Sequence, residues 1–89
     1  MKAIVSVFGR DKQGIIAGVS ATLLKLDANI EDINQTIMQN KYFTMLMMVD
    51  FPSDVSIDIA NTELSATAKT LDVEIHVQHT DIFNSQHRI

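Results

Sequence analysis

Apolar and polar positions alternate from residue 2 to residue 8. Ala3, Val5 and Val7 fall on one side, and Ile4, Ser6 and Phe8 on the other. A period of two predicts a strand, and apolar residues on both sides place it inside a sheet. The period then lengthens. Ile15, Ile16, Val19, Leu23 and Leu26 make one stripe at helical spacing across 13–27. Gly18, Ser20 and Ala21 keep part of that helix small, so a neighbour can approach closely. Asp27-Ala28-Asn29 is expected to end it, with Asn29 in the left-handed conformation.

Residues 30–39 read as a second strand. Ile33 and Ile37 share a side with Glu31, Gln35 and Gln39, while Ile30 and Met38 share the other with Asp32, Asn34 and Thr36. So many polar groups predict an edge strand or a half-solvated one. Gln39-Asn40-Lys41 turns the chain into a third strand over 42–51. Phe43, Met45, Met47, Val49 and Phe51 line one side of it, and Tyr42, Thr44, Leu46 and Met48 the other. That strand belongs in the sheet interior and ends at Pro52. A thinly apolar helix follows over 56–71, carrying Ile57, Ala60, Leu64, Ala68 and Leu71, with Ser53 or Ser56 as its cap. Val73, Ile75 and Val77 point inward from a last strand over 73–79.

Strand, helix, strand, strand, helix, strand is the split βαβ of an α+β, ferredoxin-like sandwich. Right-handed crossovers put both helices on one face of a four-stranded antiparallel sheet. The predicted domain spans 1–80. Residues 81–89 form a tail whose Ile82, Phe83 and Ile89 imply that it packs on the domain or on a neighbouring subunit. The first and third strands are apolar on both sides, yet helices cover only one. A second subunit, the tail or both must bury the remaining face, which predicts a homodimer or higher homo-oligomer.

Composition narrows the partners. The 89 residues hold 7 basic and 11 acidic side chains, a net charge of −4. Nucleic acid and anionic membrane surfaces both require a basic face, so neither is expected as a partner. Cysteine is absent, which removes disulfides, thiol chemistry and zinc–thiolate sites. The opening Met1-Lys2-Ala3-Ile4-Val5-Ser6-Val7 is too short for a signal peptide, and no apolar run reaches the length of a membrane span, so a cytoplasmic location is expected. His76 and His79 stand three apart on a strand and point to opposite faces, a poor arrangement for a metal. Met38, Met45, Met47 and Met48 read as core by their alternation. Gly9 and Gly14 lack dinucleotide-binding spacing, and no nucleophile elbow or phosphate loop is present. No enzyme activity and no cofactor are expected.

The most informative stretch is Gly9-Arg10-Asp11-Lys12-Gln13-Gly14-Ile15-Ile16, between the first strand and the first helix. Asp11 is a good capping residue, and Gly14, read into the first turn, lets another group approach the backbone. Unpaired amides and partial positive charge at a helix start suit an anion such as a carboxylate. A capped helix with a packing glycine accounts for the same residues. A large side chain at Gly14 is expected to block the turn and leave the fold intact.

Asp11-Lys12-Gln13-Gly14-Ile15-Ile16 and the later Ala28-Asn29-Ile30, set in this order of elements, resemble the ACT domain. The opening Met1-Lys2-Ala3-Ile4-Val5, Gln35-Thr36, Tyr42-Phe43-Thr44-Met45, Asp81-Ile82-Phe83 and His87-Arg88-Ile89 are similar to a family of small stand-alone bacterial ACT proteins. Some ACT relatives carry proline where Gln13 stands, and its absence implies a less rigid loop. The resemblance implies a regulatory domain that binds an amino acid or other small ligand between two copies. It further implies that Asp11, Gln13, Gly14 and Ile15 face Asn29, Ile30 and Asp32 of a neighbour. The chemistry agrees. Amides of Gly14 and Ile15 can hold a carboxylate, Asp11 or Asp32 an ammonium, and Asn29 either end. A pure protein-interaction module, docking through its sheet face and tail without a metabolite, is the competing function.

Overall fold

The computed structural model describes residues 1–10 and 14–80. Six elements follow in the expected order: β1 (Lys2–Gly9), α1 (Ile15–Lys25), β2 (Asn29–Met38), β3 (Tyr42–Asp50), α2 (Ile57–Leu71) and β4 (Glu74–His79). The strands pair antiparallel in the order β2-β3-β1-β4, which makes β1 and β3 interior and β2 an edge. The ferredoxin-like sandwich is therefore the fold. The expected tail, residues 81–89, lies outside the described residues.

One face of the sheet carries the core. Val5, Val7, Met45, Met47 and Val49 are buried against Ile15, Val19 and Leu23 of α1 and against Ala60 and Leu64 of α2. This is the face assigned from alternation. Met45 and Met47 are core as expected, whereas Met38 is exposed and Met48 only half-buried, because both sit on the opposite face. The helices lie against one another where Gly18 of α1 leaves room. A Cβ there would stand 2.7 Å from Leu71 Cδ1 of α2. The Thr22 and Thr67 hydroxyls hydrogen-bond across this contact, and Lys25 Nζ meets Glu63 Oε1 at 2.6 Å.

Helix ends depart from the sequence reading. α1 stops in a turn where Asp27 takes φ 61°, its N–H bonds Leu24 O, and the Ala28 N–H reaches back to Leu23 O. That is a Schellman closure. Asp27, not Asn29, holds the left-handed position, and Asn29 is already the first residue of β2. A short polar side chain tolerates that conformation by local hydrogen bonding, which Asp provides as Asn does. α2 closes in the same way, with Asp72 at φ 56° and the Val73 N–H on Ala68 O. At its start, Ser56 Oγ accepts the Ile59 N–H at 3.2 Å, so Ser56 is the cap.

A β-bulge alters β2. Ile30 pairs with Val49 and Asp32 with Met48, which leaves Glu31 as the extra residue. Directly opposite residues share a face. Ile30, Ile33 and Ile37 therefore stand on the helix side with their partners Val49, Met47 and Phe43. Strict alternation put Ile30 on the other side, and the bulge reverses it.

Candidate functional site

The turn after β1 is shaped by close packing on one side and open space on the other. At Gly9 a Cβ would stand 2.6 Å from Val73 Cγ1 and 3.2 Å from Ile15 Cδ1. Glycine there lets the end of β1, the start of α1 and the approach to β4 converge. Gly14 is different. It is the N-cap of α1 rather than a first-turn residue, at φ 82° and ψ −16°, and a Cβ would meet nothing within 4 Å. Its role is conformational, because a left-handed φ costs any L side chain about 1–2 kcal/mol. A bulky residue at Gly14 therefore strains the backbone even though it has room.

Glycine at the cap position also offers no side-chain acceptor, so no side-chain cap bond forms there. The first-turn amides of a helix lack intrahelical partners. Those of Ile15 and its neighbours therefore take no capping bond from the Gly14 position. The Ile15 side chain is buried in the core, so this residue can meet a ligand only through its backbone. Asp11 and Gln13 lie outside the described residues.

The second segment starts β2. Asn29 pairs with Asp50 at the end of the sheet that also holds Lys2, whose Nζ lies 3.3 Å from Glu31 Oε1. Asn29 is exposed, and Ile30 faces the helix side. Asp32 faces the other side and lines a shallow hollow of about 100 Å³ with Ile4, Asn34, Leu46 and Met48. Its Oδ1 accepts the N–H of Ile33 at 2.9 Å. The bulge thus sends Ile30 and Asp32 to opposite faces.

Within one chain the two segments do not meet. Gly9 and Ile37 both pair with Phe43, so the Gly14 turn shares an end of the sheet with the close of β2. Asn29 lies at the other end of that ten-residue strand, roughly 30 Å away at about 3.3 Å per residue. Along the strand between them, Ile30, Ile33 and Ile37 are 36%, 41% and 49% exposed, although they face the side the helices occupy. This apolar row on an unpaired edge escaped the sequence reading. Its signal, three isoleucines in eight residues, was split between two faces by assuming a regular strand.

A four-stranded antiparallel sheet with both helices on one face is the ferredoxin-like architecture that the ACT class of small α+β domains uses. The ACT-domain family model matches residues 2–78. The chain is 53% identical over 90 residues to a UPF0237 protein of Clostridium acetobutylicum, covering 100% of both. It is 47% identical over 90 residues to a UPF0237 protein of Methanocaldococcus jannaschii, covering 99% of this chain and 98% of the relative. The solved ACT domain protein from Streptococcus pneumoniae superposes with a TM-score of 0.84 at 42% identity, over 93% of each chain. The protein belongs to the ACT-domain family, among the stand-alone UPF0237 proteins. No helix among the described residues is long and apolar enough to cross a membrane.

Proposed function

We propose that this protein is a regulatory module, without catalytic activity of its own, that binds an amino acid between two copies joined along their β2 edges. The exposed Ile30–Ile33–Ile37 row carries this reading, because a long apolar edge is a template for pairing with another strand. Two-fold pairing of one β2 with another runs the strands antiparallel. The Asn29–Asp32 start of one copy then lies at the sheet end that holds the other copy's Gly14 turn. Two half-sites that stand apart in one chain become neighbours across the pair.

The chemistry of the halves is complementary to a zwitterion. Amides at the start of α1 suit the carboxylate. A carboxylate from Asp11 or Asp32 suits the ammonium through a charge-assisted bond, and Asn29 can serve either end. Ile30 would stand as an apolar wall. Ligand and dimer are then linked, since a ligand bound only by the pair stabilises the pair.

A thermal-shift screen against the common amino acids tests the reading, run in parallel on the natural chain and on Ile33→Glu. A rise in melting temperature with at least one amino acid in the natural chain, absent in folded Ile33→Glu, is the expected result. No response from any amino acid removes this ligand class, and an equal response in both proteins removes the interface site. The interaction-module alternative draws on a different surface, the open sheet face.

A further inference from the structure

The sheet face turned away from the helices is apolar at its centre. Phe8 and Leu46 are 43% and 47% exposed there, and the rings of Phe8 and Tyr42 stack with centroids 6.2 Å apart. Beside them, Ile4 and Met48 form the floor of the shallow hollow that Asp32 and Asn34 border. The Thr44 hydroxyl is buried on the same face with no hydrogen-bond partner among the described residues. Edge pairing through β2 extends the sheet sideways and leaves this face uncovered.

We propose that residues 81–89 fold back across this face of their own chain, with Ile82 and Phe83 seated on Ile4, Leu46 and Met48. The path begins in the right place. Thr80 Oγ1 donates to Lys2 O at 3.1 Å, so the chain leaves β4 beside the start of β1, two residues from Ile4. Thr80 is already helical, strands lie about 4.8 Å apart, crossing from β4 to β2 takes roughly 14 Å, and nine residues cover that at about 1.6 Å each. Ile82 and Phe83 come two and three residues after Thr80, within reach of Ile4 and Met48. The family model ends at residue 78, yet the likeness to the Clostridium protein runs over the whole chain, so the relative also continues past β4. A tethered segment acts at an effective concentration in the millimolar range, which favours it over a second copy for the same surface.

NMR of the full chain with labelled Ile and Met methyls tests the docking. Nuclear Overhauser contacts from the Phe83 ring to the Ile4 and Met48 methyls are expected, with loss of those contacts and shifted methyl resonances in Phe83→Ala. Absence of the contacts in the natural chain overturns the proposal. So does their appearance only as intermolecular contacts in a mixed-label sample, which would assign the face to another copy.

Discussion

The three glycines of this chain serve three different purposes, and substitution separates them. Gly9→Ala drives a Cβ into Val73 Cγ1, a β-branched side chain with little room to turn. A loss of about 1–3 kcal/mol is expected by chemical denaturation, the usual cost of overpacking. Gly18→Ala meets the tip of the flexible Leu71 and gains about 1 kcal/mol of helix propensity, so its stability should stay within about 1 kcal/mol of the natural chain. Gly14→Ala meets nothing, yet should lose about 1–2 kcal/mol to its left-handed backbone, with Gly14→Asn losing less. If Gly14→Ala were as stable as the natural chain, the cap geometry described here would be wrong. Sequence alone marked Gly14 as special and misjudged the reason. A sequence displays the missing side chain but not the sign of φ. Left-handed Asp27 and Asp72 were hidden likewise, because Asp caps helix starts more often than it closes helix ends.

At the scale of elements, periodicity identified every strand and helix because each buries a regular stripe. β1 and β3 show the reason most clearly. Residues facing the helices are almost fully buried at every second position, from Ala3 to Val7 and from Phe43 to Val49. β2 resisted for a physical reason. Its two faces are both exposed in the single chain, so burial imposes no alternation, and one bulged residue shifts Ile30 across the sheet. The same irregularity aligns three isoleucines along an edge. Replacing Ile33 by Glu puts a charge in the middle of that row, and paired edges would bring two such charges together across the two-fold axis. The variant should keep the natural fold, since Ile33 is already 41% exposed, and lose self-association. Circular dichroism checks the first half of that expectation and sedimentation the second. An unfolded variant would mean that Ile33 supports the single chain, contrary to its exposure.

For the whole molecule, two apolar surfaces are exposed in the single chain, and we propose different occupants for them. The β2 edge suits a second copy because it presents both backbone and an apolar row. The open sheet face lies within reach of the chain's own last nine residues. The candidate ligand site belongs wholly to this scale. Its residue types were legible from the sequence, but the placement of the Gly14 turn and Asn29 at opposite ends of the sheet is set by strand length and pairing. Self-association therefore carries the functional account, and the mass of the natural chain in solution tests it most directly. Sedimentation velocity should give twice the 9.9 kDa chain mass or a higher even multiple, falling to one chain in Ile33→Glu. A natural chain that sediments as a 9.9 kDa monomer at tens of micromolar, with or without amino acids, would contradict it.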